Sequence, residues 1–230
     1  MRLRTKVLLA VAPLIIALAV LTVTGMVTTR TIVSQLTEIT EKAVPISSVV
    51  ARITENQLEQ AIWFERFLSF TQTNDTENLT RAAEEFDRLN HTVGDDLSAG
   101  IGMAAEAAAA ATRAASREEF RRIGQSLEEI ATQRRLYEQT AQQVMTLMSR
   151  PEAPPPGNAV DRPLAAVRDL EDLVHDELES VRAHFSRYTQ EATAEVLRVE
   201  RLVMIFMIVG AALLLLIGLI AFPLLLLYWK

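Results

Sequence analysis

Two long stretches of this chain carry no charge at all, residues 7–29 and residues 202–229. A helix needs roughly 20 predominantly apolar residues to cross a bilayer, and both runs exceed that. The sequence therefore predicts two transmembrane helices, at 7–29 and 202–229, with the segment 30–201 between them on one side of the membrane. Arg2, Arg4 and Lys6 precede the first run and Lys230 follows the second. Basic residues favour the cytoplasmic side, so the start (1–6) and the end (230) are expected in the cytoplasm and 30–201 outside it. Pro13 and Gly25 interrupt the first run, but both residue types are tolerated in membrane helices. A cleaved signal peptide is the rival reading, with "MRLRTK" as its basic region and Ala17-Leu18-Ala19 as its cleavage site. The uncharged run continues well past Ala19 and passes into a helical repeat without a linker, which suits a span better.

Half of the residues are hydrophobic, yet only 8 Gly and 8 Pro occur, a balance that points to an all-α chain. The absence of Cys removes disulfides, thiol nucleophiles and Cys-based zinc sites together. All 29 acidic residues lie in 30–201, whereas four of the 23 basic ones flank the runs, leaving 19 there and a net charge of −10. Such a surface argues against nucleic acid as a partner. No glycine-rich phosphate loop, no GxSxG and no paired nucleophile and base are present, so a non-enzymatic protein without a cofactor is expected.

Punctuation divides 30–201 into four helices. The first ends at "TQTNDTEN", where Asn74 and Glu77 have the spacing of a helix-opening capping box. The second passes through "MAAEAAAAATRAA" and ends near Ala115, and Ser116 with Glu119 repeats the capping spacing for the third, which reaches about Ser149. "RPEAPPPGN" cannot be helical, and the fourth helix is expected from Asp161 or Arg162 before Pro163, running unbroken into the second span. The predicted fold is an antiparallel up-down-up-down four-helix bundle continuous with two transmembrane helices.

Three of the four carry a heptad rhythm, the pattern of coiled-coil-like packing. The first gives Ile32, Leu36, Ile39, Ala43, Ile46, Val50, Ile53, Gln57, Gln60, Phe64 and Phe67; the third gives Phe120, Ile123, Leu127, Ile130, Arg134, Tyr137, Ala141, Val144 and Met148. The fourth runs from Val167 through Glu171, Val174, Leu178, Val181 and Phe185 to Leu202, while glycines at 94, 100 and 102 disturb the second. Gln57, Gln60 and Arg134 stand where Leu or Ile is expected. Counting from the far tip of the bundle at 1.5 Å per residue puts Gln57 and Arg134 in one layer about 22 Å down, with His91, Glu179, His175 and Arg182 at a similar level.

A polar residue at a seam position commonly fixes helix register, with a long Arg reaching a carboxylate such as Asp87 or Glu179. The functional alternative is a seat for a small polar ligand, with Arg134 as a charged planar fork and Gln57 and Gln60 as mixed donors and acceptors. A metal site is disfavoured: Asp172 with His175 and Asp87 with His91 have suitable offsets, but no Glu-x-x-His occurs.

The basic start, the first run, "KAVPISSVVARITENQLEQAIWFERFL", the Pro-interrupted bundle and the second run together resemble the membrane-anchored four-helix-bundle sensory region of bacterial methyl-accepting chemotaxis receptors. The most particular part is Pro45 to Arg66, with Gln57, Gln60, Glu65 and Arg66. The resemblance implies a sensor in the bacterial inner membrane with its bundle in the periplasm. It implies a parallel homodimer, a small polar ligand or a periplasmic binding protein as effector, and a chemoreceptor or other membrane signalling protein as partner. Gln57, Gln60, Arg66 and Arg134 are the candidate ligand-binding residues. Receptors of this kind continue into a HAMP linker and a cytoplasmic signalling hairpin, whereas this sequence stops at "LLYWK"; a stand-alone module and a truncated receptor are both compatible with that. A structural adaptor that stabilises a transporter, secretion or envelope complex is the alternative from another class.

Overall fold

The computed structural model of the chain describes residues 3–149 and 158–227; side chains are described from Ile16 onward, apart from 17, 21, 35, 158, 159, 214, 217, 218 and 220–227. The described residues form helices and no strand: α1 (Leu3–Glu38), a π-helical turn (Ile39–Ala43), α2 (Val44–Thr73), α3 (Thr76–Ala110), α4 (Ala114–Met148) and α5 (Asn158–Leu227). Two compact units result, one of residues 40–189 and one of residues 1–39 with 190–230. The "RPEAPPPGN" segment lies outside the described residues up to Asn158, where α5 already begins, ahead of the expected Asp161 or Arg162.

In the 40–189 unit four helices pack together, α2, α3, α4 and the 158–189 part of α5. The seams read from the sequence are the buried faces: Ile46, Val50, Ile53, Gln57, Gln60, Phe64 and Phe67 on α2, and Phe120 through Val144 on α4. On α5, Val167, Val174, Leu178, Val181 and Phe185 are buried. The glycines of α3 do not break its seam as the sequence suggests, because Gly100 is itself a buried member. Ala82, Phe86, Leu89, Val93, Leu97, Gly100, Ala104 and Ala107 form a continuous series. Phe86 to Leu89, Val93 and Leu97 steps by three, four and four, an eleven-residue interval that locally unwinds the heptad geometry. At Gly100 a Cβ would stand 3.3 Å from Leu127 Cδ1 and 3.4 Å from Val49 Cγ1, so three helices come close there and an added methyl would press on Leu127. Contacts between helices include Arg52 with Asp96 at 2.5 Å, Phe64 with Phe86 at 6.0 Å between ring centroids, Phe86 with Tyr137 at 6.2 Å and Phe120 with Tyr188 at 5.7 Å.

Helix ends differ from the expected caps. Asn74 closes α2 in the left-handed conformation, φ 54°, a region that Asn enters more readily than most residues. The Asp75 N–H then donates to Phe70 O at 3.1 Å, which satisfies a terminal carbonyl of α2. Asp75, not Asn74, opens α3, its carboxylate accepting from the Asn78 backbone N–H at 3.2 Å and from Asn78 Nδ2 at 2.7 Å. Those bonds, the side-chain one foremost, hold the Asp75 carboxyl below the usual range. Ser116 likewise is no cap. The chain is extended at Arg113, α4 starts at Ala114, and Ser116 sits buried inside its first turn, accepting a bond from the Tyr188 hydroxyl at 3.4 Å. The Arg117 guanidinium meets the Ala111 carbonyl instead, at 3.1 Å.

The π-helical turn has a cause in the sequence. Pro45 has no N–H and its ring crowds the preceding turn, so an α-helix running through it loses one rung and must adjust. A single wide turn at Ile39–Ala43, directly ahead of Pro45, is such an adjustment.

The 1–39 and 190–230 unit has a different exterior. Val20, Val23, Met26, Val27, Leu202, Phe206, Ile208 and Leu216 are all exposed large apolar residues. An apolar groove of about 280 Å³ is lined by Val20, Thr24, Gly25, Thr28, Val203 and Phe206 among others. Among the described residues no helix is long and apolar enough to cross a membrane.

Candidate functional site

The bundle of residues 40–189 has two apolar clusters. One holds Ile46, Ile53, Val93, Leu97, Leu127, Ile130 and Val174; the other holds Phe64, Phe67, Phe86, Tyr137, Ala141 and Val167. Between them in sequence, on three helices, stand Gln57 and Gln60 from α2, Asn90 from α3 and Arg134 from α4. All four are buried, Gln57 and Arg134 at 4% exposure and Gln60 at 0%. Glu171 of α5, between Val167 and Val174, is half-buried at the same interval of its own seam.

Asn90 is the hub. Arg134 Nη2 donates to Asn90 Oδ1 at 2.5 Å and to the Asn90 main-chain carbonyl at 2.7 Å, so one nitrogen joins α4 to α3 through two acceptors. Gln60 Nε2 donates to the same Oδ1 at 3.3 Å and to the Phe86 carbonyl at 3.4 Å. One amide oxygen thus serves both a buried cation and a buried amide, and the layer crosses α2, α3 and α4. The arrangement leaves polar atoms over. Arg134 Nε, both amide atoms of Gln57, Gln60 Oε1 and the Tyr137 hydroxyl are buried without a hydrogen-bond partner among the described residues. Each such atom, left dry, costs about 1–3 kcal/mol.

Burial governs the ionisation of these groups. It lowers the Arg134 guanidinium from its ordinary value, opposed by the negative charge of Glu138 one turn along α4. It raises the Tyr137 phenol, with Glu171 adding to the effect and Arg134 opposing it. It raises the Glu171 carboxyl as well, with Asp172 and Glu65 reinforcing it and Arg168 and His175 opposing it.

The structure sorts the sequence-predicted residues. Gln57, Gln60 and Arg134 occupy the expected layer. Arg66 does not: it is exposed, its guanidinium lying 4.5 Å above the centre of the Trp63 ring. His91, Asp87, His175 and Glu179 are also exposed and do not enter the layer. Glu179 pairs with Arg182 at 3.3 Å on the surface, so the carboxylates expected to meet Arg134 are replaced by a neutral amide and a carbonyl. Asn90 is the residue that the sequence reading missed. Reading Gly100 as a seam member would have extended the α3 series and shown that Asn90, not His91, turns inward.

No cluster of three or more metal-ligating residues occurs among the described residues. The layer offers hydrogen-bond donors, acceptors and one fixed positive charge, a set suited to binding and to setting register. No family model, curated protein or solved structure matches the chain.

Proposed function

We propose that the chain is a non-enzymatic signal-transduction module of a bacterial inner membrane, with two spans, cytoplasmic ends and a sensory bundle in the periplasm. The observation that carries this reading is the contrast between its two surfaces. The 1–39 and 190–230 unit exposes Ile16, Leu18, Val20, Val23, Met26 and Val27, and Leu202, Met204 through Val209, Leu213, Leu215, Leu216 and Leu219. Water would not tolerate a sleeve of that kind, whereas hydrocarbon would. Among its described residues the 40–189 unit buries most of its large apolar side chains and, Arg134 apart, keeps its charged ones out of the core. The sleeve residues belong to the uncharged runs 7–29 and 202–229, whose lengths suit two spans.

An antiparallel up-down-up-down bundle is the topology proposed for residues 40–189. Contacts step in opposite directions along neighbouring helices: Arg52 meets Asp96 while Gln60 meets Phe86, and Gly94 approaches Arg134 while Gly100 approaches Leu127. Sensing is assigned to the Gln57, Gln60 and Arg134 layer, in keeping with the resemblance carried by Pro45 to Arg66. A small polar ligand or a periplasmic binding protein is the proposed effector, and a chemoreceptor or another membrane signalling protein the proposed output partner.

Homodimerisation through α2 completes the reading. Steps of four and three connect Val44, Ser48, Ala51, Glu55, Leu58 and Ile62, all exposed, with Leu58 at 57% and Ile62 at 45%. A second heptad stripe on a helix whose first stripe is already buried suits a parallel copy of the same helix. The same stripe also favours the adaptor reading, in which it would dock on a different membrane protein.

Topology and effector response test the proposal together. A periplasm-active reporter fused after Lys230 is expected to be silent, and the same reporter inserted in the segment 150–157 to be active; the reverse pattern would refute the two-span arrangement. Melting of the full chain in detergent, followed while candidate polar solutes are added, separates sensor from adaptor, since a ligand that binds only the folded form raises its stability. Recovery of one stoichiometric membrane complex with no solute effect would favour the adaptor.

A further inference from the structure

We propose that the polar layer is an internal water site, with ordered water bridging Arg134 Nε, the Gln57 amide, Gln60 Oε1 and the Tyr137 hydroxyl. The unpartnered atoms come from α2 and α4, and their chemistry is mixed. Arg134 Nε and Gln57 Nε2 can only donate, Gln57 Oε1 and Gln60 Oε1 can only accept, and the Tyr137 hydroxyl can do either. An anion would satisfy the donors alone and a cation the acceptors alone. Water satisfies both.

The surrounding structure limits alternatives. Gln60 cannot exchange its amide ends without losing its donation to Phe86 O and Asn90 Oδ1, so Gln60 Oε1 stays an acceptor in need of a donor. Arg134 spends Nη2 on Asn90 and does not turn Nε to it. Glu138 on the same helix places a negative charge near the guanidinium, although burial remains the larger influence on it. Ile53 and Ile130 to one side and Phe64 and Phe86 to the other are fully buried apolar residues, so water is confined to this level of the bundle. A buried water typically makes about three hydrogen bonds, so five orphan atoms require about two waters.

The test uses the full chain in detergent micelles. Arginine-labelled protein is examined for magnetisation transfer from water to the Arg134 Nε proton, assigned by its loss in Arg134→Lys. Water relaxation dispersion then counts long-lived waters in the wild type and in Gln57→Leu with Gln60→Leu. The expected result is direct transfer at Arg134 and the loss of about two long-lived waters in the double variant. Absence of transfer at Arg134 in the wild type overturns the proposal. An unchanged water count in a double variant with native helical content and Trp63 emission overturns it too. Replacing chloride by gluconate is expected to leave the melting temperature unchanged, and a saturable chloride-dependent rise would assign the site to an anion instead.

Discussion

Replacing Asn90 by Leu should damage this bundle more than an amide-to-leucine change in a core normally does, because Asn90 Oδ1 accepts from two buried groups at once. The bond from Arg134 Nη2, at 2.5 Å, is of the charged kind that contributes about 1.5–3 kcal/mol, and the Gln60 bond at 3.3 Å sits at the weak end of the neutral range, about 0.5 kcal/mol. The main-chain carbonyl of residue 90 still holds Arg134 at 2.7 Å, and leucine burial returns part of the loss, which leaves a net cost of about 1–3 kcal/mol. At roughly 2–4 °C per kcal/mol for a protein of this size, the midpoint should fall by about 2–12 °C. Arg134→Leu should behave differently. It removes the buried charge while Asn90 keeps Gln60, so its cost should be small or its effect stabilising. The double variant should then be at least as stable as Asn90→Leu alone, with a coupling of about 1–3 kcal/mol. Thermal melts of the full chain followed through Trp63, half-buried on α2 one turn from Gln60, would report on this unit. Additive single-variant effects, or an Asn90→Leu midpoint within 1 °C of wild type, would refute the hub.

Three further outcomes are expected. Glu171, with its folded-state carboxyl raised, favours the folded state while protonated; that stability is full below the unfolded pKa and is lost as pH rises through the folded one. Glu171→Gln should therefore melt above wild type at neutral pH and match it in acid, and a constant offset across the pH series would exclude the ionisation. Asp75 carries the opposite sign: its lowered carboxyl stabilises above the unfolded pKa and ceases to do so as pH falls through the folded one, so Asp75→Ala should lose stability at neutral pH and not in strong acid. Single cysteines at Leu58 and Ile62 should cross-link between copies on oxidation in membranes, while one at Gln142, exposed on α4, should not; failure at both α2 positions would count against the parallel dimer.

Periodicity made the buried faces legible. The seam positions from Ile39 in the π-helical turn to Phe67 on α2, and of α4 from Phe120 to Val144, are buried, because a step of three or four residues determines which side of a helix faces inward whatever the partner. Caps were less legible, since Asn74 and Asp75 are both competent cap residues and only backbone geometry decides which adopts the left-handed turn and which opens α3. Ser116 had the right neighbours for a cap, but the chain became helical at Ala114 and buried it against α5. In the layer, Gln57, Gln60 and Arg134 announced themselves as polar residues in an apolar series. Their partner did not, because the rotational phase of α3 around residue 90 depends on Gly100 packing as a core residue, and a missing side chain leaves no hydrophobic mark. The π-helical turn was equally silent, although Pro45 in "KAVPIS" supplies its cause.

One acceptor of Arg134 is a main-chain carbonyl, and that oxygen belongs to no particular amino acid. Substitution at residue 90 can change the side chain beside it but cannot remove it. What Arg134 recognises there is a place along α3 more than the identity of the residue occupying it. Point changes at residue 90 should consequently be survivable to different degrees, whereas one residue inserted or deleted in α3 between Asn90 and the Asp75 cap would turn the carbonyl away by about 100° and defeat the contact completely. Sequence drift and length change are thus filtered unequally at this position, and relatives of this chain should vary in the letter at residue 90 before they vary in the count of residues leading to it.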